Sequence, residues 1–146
     1  MKIYLDVCAI QRPLDTPEHL RIALEAEAVL GILALCEAGK IDLVSSDALD
    51  YEIRRNPHPL RREYALAVIK QAKEHIPLSA AIEQRAEQLT AQGFQPLDAL
   101  HIAFAEAGQA DYFCTTDDKL LKKARRTTTI KVKTVSPLDL VKEIEQ

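Results

Sequence analysis

The sequence predicts a three-layer α/β/α fold, in which helices cover both faces of a central parallel sheet of four or five strands. Two observations predict it. Short apolar or β-branched segments alternate with longer segments of helical spacing along the chain, and hairpin dipeptides such as Asn-Gly do not occur. Because parallel strands must be joined by crossover segments, alternation without hairpins favours a parallel sheet that is buried on both faces.

The predicted strands are short and rich in apolar or β-branched residues. The first runs from Lys2 to Asp6, where an acidic residue ends the apolar run, and a shorter candidate surrounds Pro77. The predicted strands comprise residues 2–6, 41–45, 75–78, 111–115 and 130–135.

Capping and breaking residues set the bounds of the predicted helices. Thr16-Pro17 is typical of a helix N-cap followed by proline, Ser46 and Ser79 are N-cap residues, and Gly39 is a natural left-handed terminator. The two prolines of the segment 56–59 predict a loop there. The predicted helices run over residues 17–38, 47–55, 60–74, 80–93, 96–107 and 117–126, and from Pro137 onward.

Length and composition predict a single domain over residues 1–146. Of the 146 residues, 47% are hydrophobic, which is enough for one core. No apolar stretch has the length of a signal peptide or a membrane span, so we expect a cytoplasmic protein without a membrane role. Cys8, Cys36 and Cys114 lack paired spacing, which argues against a disulfide scaffold and structural zinc.

The distribution of charge predicts local contacts with nucleic acid at most. A net charge of -3 excludes a broad electropositive surface for duplex DNA. Residues 119–133 nevertheless contain seven Lys or Arg and no acid, and a second basic cluster comprises Arg54, Arg55, Arg61 and Arg62. Each cluster is either a solvated helix face or a phosphate contact, and the sequence leaves both alternatives open.

Four acidic residues occupy positions from which they can converge. Asp6 ends the first strand and Asp117 follows the strand at 111–115, while Glu52 lies about two turns into one helix and Asp98 in the first turn of another. Ligands of parallel α/β sheets bind beyond the carboxyl ends of the strands. Two carboxylates about 4 Å apart repel by roughly 4 kcal/mol at an effective dielectric of about 20. Convergence therefore predicts a divalent cation, although an Asp at a strand end or in a first helical turn is often only a cap or a partner of the helix dipole.

Four motifs occur in an order that resembles the PIN-domain family, and within it the toxins of VapC-type toxin–antitoxin pairs. The resemblance extends over essentially the whole chain. The motifs are Ile3-Tyr4-Leu5-Asp6, Ser46 with Glu52, Leu97-Asp98-Ala99-Leu100-His101-Ile102-Ala103, and Thr115-Thr116-Asp117.

The resemblance implies a metal-dependent endoribonuclease with Asp6, Glu52, Asp98 and Asp117 as the catalytic, metal-binding residues. The implied cofactor is Mg²⁺ or Mn²⁺, and hydrolysis of RNA would leave a 3′-hydroxyl and a 5′-phosphate. A cognate antitoxin and a homodimer are further implied partners. The chain departs from the family at Cys8, where many relatives carry a small polar residue.

Two alternatives exist within the set of acids. Asp118 competes with Asp117 as the fourth acid, although the Thr-x-Asp spacing favours Asp117. Asp50 competes with Glu52, but the two lie about 200° apart around a helix and cannot enter one site together.

Further residues are predicted to support the site. His101 lies one turn after Asp98, where it either contacts RNA or an acid or is simply packed with its nitrogens satisfied. The residues that we expect as possible RNA contacts, with capping or solvation as alternatives, are Arg12, Arg54, Arg55, Thr115 and Thr116.

Other functions fit the sequence less well. A phosphatase with Asp6 as nucleophile would be expected to carry a second Asp at position 8, which is Cys8. A dinucleotide-binding domain would need a glycine-rich loop after the first strand, where the sequence is Val-Cys-Ala-Ile. The main alternative is a non-catalytic PIN-like RNA-binding or scaffold module.

Overall fold

The computed structural model describes residues 1–145. It contains five strands that form one sheet, with all neighbours parallel. The strands are β1 (Lys2–Leu5), β2 (Asp42–Ser46), β3 (Glu74–Ile76), β4 (Tyr112–Cys114) and β5 (Lys133–Val135). Their order across the sheet is β3-β2-β1-β4-β5. The predicted parallel α/β fold is therefore confirmed.

Helices pack against this sheet in two groups. The helices are α1 (Val7–Ile10), α2 (Leu20–Glu37), α3 (Asp47–Arg54), α4 (Pro59–Ile69), α5 (Ala80–Ala91), α6 (Pro96–Ala107), α7 (Asp118–Arg126) and α8 (Pro137–Glu145). In one group, α2 packs with α8, which lies against β4 and β5. In the other, α6 packs with α3 and α5 and lies against β2 and β4.

Burial along β1 shows that both faces of the sheet are covered. Ile3, Tyr4 and Leu5 are consecutive and all fully buried. Since successive strand side chains point to opposite faces, neither face of β1 is open to solvent. Within residues 1–145, no helix combines the length and the apolar character that a bilayer span requires.

The sheet order places a crevice beside β1. The chain builds outward from β1 to β2 and β3, then returns to the other side of β1 for β4 and β5. The connections that leave β1 and β4 therefore diverge at the carboxyl ends of these strands. Asp6 follows β1 and Asp117 follows β4, so both lie at this opening.

Several predicted caps are confirmed. The Ser46 hydroxyl accepts the Leu49 N–H at 3.1 Å, and the Ser79 hydroxyl accepts the Ile82 N–H at 3.3 Å. Gly39 has a φ of 76° after the end of α2, a conformation that glycine adopts without a steric penalty.

The predicted start of the first long helix is wrong. The helix begins at Leu20, with His19 as its N-cap, and Thr16-Pro17 lies in the preceding connection. Proline fixes φ at a value that suits extended connections as well as first helical turns, so the dipeptide does not by itself start a helix. The sequence analysis also missed α1 and the 3₁₀ turn Arg12–Leu14, which are too short to show a periodic pattern.

Two further boundaries differ from the prediction. Helix α4 ends at Ile69, five residues before the predicted end at Glu74, because Lys73 already donates its N–H to Leu43 O of β2 at 2.9 Å. Strand β3 ends before Pro77, and the next N–H, that of Leu78, bonds to the Asp47 carboxylate at 2.8 Å. In both cases pairing with distant residues, which local spacing does not reveal, sets the boundary.

Candidate metal centre

Asp6 is the most firmly held acid of the site. Its Oδ1 accepts the Val7 N–H at 2.9 Å, and its Oδ2 accepts the Thr115 hydroxyl at 2.9 Å and the Cys8 thiol at 3.4 Å. The residue is 6% exposed, and burial raises the pKa of its carboxyl above the ordinary value. The N-terminus of α1 and the first residue after β4 thus fix Asp6 at the crevice.

Glu52 and His101 reach the same place from two helices. Glu52 extends from α3, and its Oε1 lies 2.8 Å from Nε2 of His101 on α6. Burial opposes a charge on His101, but the hydrogen bond to Glu52 and the charge of Asp6 outweigh it and raise the imidazole pKa. One potential ligand atom from each of Asp6, Glu52 and His101 lies within 4.8 Å of the others.

Asp98 adds a third carboxylate in the first turn of α6. Burial, together with the negative charges of Asp6 and Asp117, raises its pKa to about 6. Its side chain lies outside the 4.8 Å group. Asp98 therefore experiences the negative potential of the other acids without sharing a hydrogen bond with them.

Asp117 occupies the N-cap of α7 at the edge of the crevice. Its Oδ1 accepts the N–H groups of Lys119 and Leu120, at 3.0 and 3.2 Å, and its own N–H donates to the Thr115 hydroxyl at 3.1 Å. The residue is exposed, yet its charge is among the causes of the raised pKa of Asp98. Asp117 therefore lies near enough to Asp98 to act on it through charge.

The two competing acids are engaged elsewhere. Both oxygens of Asp118 accept from the Arg21 guanidinium at 2.7 Å, which holds the pKa of Asp118 below its usual range. Asp50 is bound by Arg54 of the same helix at 2.9 Å. Placement alone therefore favours Asp117 and Glu52 over their neighbours as members of the cluster.

The predicted RNA contacts are placed unequally. Thr115 is fully buried, with its hydroxyl bound to Asp6, and Thr116 is 9% exposed. Arg12 pairs with Asp15 and with the buried Glu25. Arg54 and Arg55 lie on the exposed surface at the C-terminal end of α3. Arg54 pairs with Asp50, and Arg55 lies over the ring of Tyr51.

Two buried hydroxyl groups, those of Tyr4 and Ser46, make contacts beside the site that the sequence did not predict. The Tyr4 hydroxyl lies 2.7 Å from Nδ1 of His101 and 2.6 Å from Oγ of Ser46. A signal for Tyr4 was available, because a tyrosine in a buried strand needs a partner for its hydroxyl. Its partners come from 42 and 97 residues away, and no local pattern identifies them.

The donor set of this cluster fits a hard divalent cation. Carboxylate oxygens dominate it, as Mg²⁺ and Mn²⁺ prefer. Burial is the main cause of the raised pKa of Asp6 and Asp98, and the charge of Glu52 adds to it in both. A bound cation would offset this negative charge.

A family model supports the same interpretation. The model described as PIN domain matches residues 3–126, which is most of the chain. The chain therefore belongs to the PIN domain family.

Two solved structures resemble the chain in fold. A crystal structure of VapBC2 from Rickettsia felis bound to a DNA fragment from their promoter contains a chain that is 14% identical, with a TM-score of 0.58; the match covers 93% of this chain and 98% of that chain. PAE2754 from Pyrobaculum aerophilum is 16% identical, with a TM-score of 0.55 and full coverage of both chains. A comparison with curated proteins gives no match.

Proposed function

We propose that the protein is a metal-dependent endoribonuclease. The observation that carries this proposal is the cluster at the carboxyl ends of β1 and β4, where Asp6 and Glu52 approach His101 and the charges of Asp98 and Asp117 act on each other. Membership of the PIN domain family supports nuclease chemistry at this cluster.

Asp6, Glu52, Asp98 and Asp117 would hold Mg²⁺ or Mn²⁺. When bound, the ion supplies charge that offsets the developing negative charge on the phosphate and lowers the pKa of water. Asp6 is oriented for this role by three donors, and Asp117 by the N-terminus of α7. Water adds to phosphorus and the bond from phosphorus to the 3′ oxygen breaks, which leaves a 3′-hydroxyl and a 5′-phosphate.

The basic residues of α7 are the surface that best suits the RNA backbone. Lys119, Lys122 and Arg126 are exposed and lie at helical spacing on the element that begins at Asp117. Arg54 and Arg55 remain exposed enough to reach a phosphate from the α3 side. Arg61 and Arg62 of the same basic cluster instead bind backbone carbonyls within the protein.

We further propose that the chain is the toxin of a type II toxin–antitoxin pair and works as a homodimer. The toxin role is supported by the similarity in fold to a chain of the VapBC2 complex, and the homodimer is what the resemblance to the family implies. An antitoxin would act by covering the acidic cluster. Growth arrest on strong expression of the chain, with normal growth of the Asp6→Asn variant, is the expected result; normal growth with both would contradict the toxin role and leave the nuclease proposal standing.

The nuclease proposal is tested with purified protein and total RNA. We expect cleavage with Mg²⁺ or Mn²⁺, none with EDTA, and none with Asp6→Asn. Asp118→Asn is the matched control, since it removes a neighbouring carboxylate that pairs with Arg21, and it should cleave normally. Cleavage that persists with EDTA and with Asp6→Asn would contradict the proposal, and RNA binding without any cleavage would favour the non-catalytic module.

A further inference from the structure

A chain of buried hydrogen bonds leads from the start of α3 to the metal centre. It runs from the Leu49 N–H to Ser46 Oγ at 3.1 Å, from Ser46 to the Tyr4 hydroxyl at 2.6 Å, and from Tyr4 to Nδ1 of His101 at 2.7 Å. The last bond joins Nε2 of His101 to Oε1 of Glu52 at 2.8 Å. Ser46, Tyr4 and His101 are each at most 1% exposed, so water does not compete for these bonds.

The Glu52 end of this chain places a proton on Nε2 of His101, because an ionised carboxylate only accepts. In the neutral imidazole, Nδ1 accepts from the Tyr4 hydroxyl, and Ser46, which already accepts the Leu49 N–H, donates to the Tyr4 oxygen. In the imidazolium, which the raised pKa favours, Nδ1–H donates to Tyr4 and Tyr4 donates to the second lone pair of Ser46 Oγ, so Nε2–H faces Glu52 in both forms. In the neutral form every donor in the chain has an acceptor.

We propose that His101 is a positioning residue, which acts on the metal centre by holding the Glu52 carboxylate through Nε2–H while Tyr4 holds the ring through Nδ1. The inference rests on the proposed function, because it assigns Glu52 to the cation. Without this bond, Glu52 would lose side-chain entropy when the cation fixes it in one rotamer. The bond through Oε1 fixes it beforehand and leaves Oε2 for the cation.

Direct ligation by His101 is the competing role. Nε2 is close enough to Asp6 and Glu52 to share an ion with them. Ligation would require a lone pair on Nε2, and the hydrogen would then lie on Nδ1. Nδ1–H would then donate to the Tyr4 oxygen and Tyr4 would donate to Ser46 Oγ, while the bond from the Leu49 N–H would be unchanged.

An isosteric pair of variants separates the two roles. His101→Gln places an amide N–H as many bonds from Cα as Nε2, whereas His101→Met has the same length and no donor. Bonds that orient metal ligands are typically worth about 10–100-fold in metal affinity. We expect His101→Met to weaken Mn²⁺ binding, measured by calorimetry, within this range, and His101→Gln to recover most of the loss.

Two further measurements test the same role, one with a minimal change at the buried Tyr4 and one with the unaltered protein. Tyr4→Phe removes one oxygen and keeps the ring that stacks on Phe113, and we expect it to cause a smaller loss of Mn²⁺ affinity, below about tenfold. Pulsed electron paramagnetic resonance of Mn²⁺ bound to the unaltered protein should show no directly coordinated nitrogen. Thermal melting of each variant reports whether the fold is retained.

Different results would overturn the positioning role of His101 and the proposed nuclease function. A directly coordinated nitrogen signal, or folded Gln and Met variants with equal Mn²⁺ affinity, would overturn the positioning role while wild-type binding and RNA cleavage remained. A wild-type protein that neither binds Mn²⁺ nor cleaves RNA would remove the proposed function itself, and the positioning role with it.

Discussion

The two halves of the acidic cluster are built differently. On the β1 side, Asp6 and Glu52 are held by hydrogen bonds from Thr115, Cys8 and His101. On the other side, Asp98 interacts with the remaining acids through charge, and Asp117 is exposed and bound only by backbone N–H groups of its own helix. The first half is therefore positioned by hydrogen bonds before any ligand arrives, whereas Asp98 in the second half meets the other acids through charge alone.

The largest expected effect is that of a substitution at Asp6, in the half of the acidic cluster that hydrogen bonds hold in place. Asp6→Asn should reduce the rate of RNA cleavage by at least about a thousandfold, because an ion held in place contributes several kcal/mol and each 1.36 kcal/mol is about tenfold. The melting temperature of the metal-free protein should not fall, since the substitution removes a buried charge whose pKa is raised. A variant that cleaves RNA within tenfold of the wild-type rate would show that Asp6 is not a ligand.

The next largest effect concerns the contribution of Asp98 to metal binding. Mn²⁺ at about a hundredfold excess over its dissociation constant should stabilise the protein by about 2.7 kcal/mol, seen as a rise in melting temperature. Asp98→Asn should melt at a higher temperature than wild type without metal and gain less from Mn²⁺. An equal gain from Mn²⁺ in the two proteins would place Asp98 outside the ion site. Asp50→Asn, which alters an ion pair on α3, is the control.

The dependence of stability on pH tests Asp98, in the second half of the acidic cluster. Because the pKa of Asp98 is raised from 3.8 to about 6, the folded protein binds this proton more tightly than the unfolded chain. The stabilisation from the proton is complete below pH 4 and is lost as the pH rises through about 6. Acids with a lowered pKa, such as Asp47 and Asp118, act in the opposite direction at lower pH.

The difference between wild type and Asp98→Asn isolates this contribution. Denaturant melts of the metal-free proteins from pH 4 to 7 should show the variant gaining on the wild type as the pH rises, and saturating Mn²⁺ should remove the trend. A difference that stays constant with pH would contradict the raised pKa.

The smallest expected effect lies outside the acids. Lys119→Gln combined with Lys122→Gln should raise KM for RNA several-fold and reduce its salt dependence, since each phosphate contact to a single strand contributes about 0.7 to the slope of log affinity against log salt. Mn²⁺ affinity should not change. The control is Arg61→Gln combined with Arg62→Gln, which removes the same amount of positive charge from two side chains that bind backbone carbonyls within the protein. If this pair raises KM as much as the lysine pair does, the result would argue against α7 as the RNA surface.

The fold was predictable because its signals are local. The alternation of strands and helices, the Ser46 and Ser79 caps and the terminator Gly39 each depend on residues within a few positions of one another. Errors arose where distant pairing decides the outcome, as at Lys73, whose bond to Leu43 ends the helical segment early.

For the candidate site, the sequence indicated the positions of the acids and left contact between His101 and an acid as one alternative. Strand ends and helix starts indicated where Asp6, Asp98 and Asp117 lie, since parallel strands end at one edge of a sheet. The partners of His101 were not predictable, because Tyr4 and Glu52 reach it from 97 and 49 residues away. Whether a basic side chain is free or bound within the protein likewise depends on tertiary contacts such as Arg61 with Asp15.

The most direct test of the account is a crystal structure of the protein soaked with Mn²⁺. We expect anomalous density for one or more ions at the carboxyl ends of β1 and β4, with oxygens of Asp6, Glu52, Asp98 and Asp117 as ligands, directly or through water. A structure in which Mn²⁺ at saturating concentration leaves these carboxylates apart and binds elsewhere would contradict the central claim.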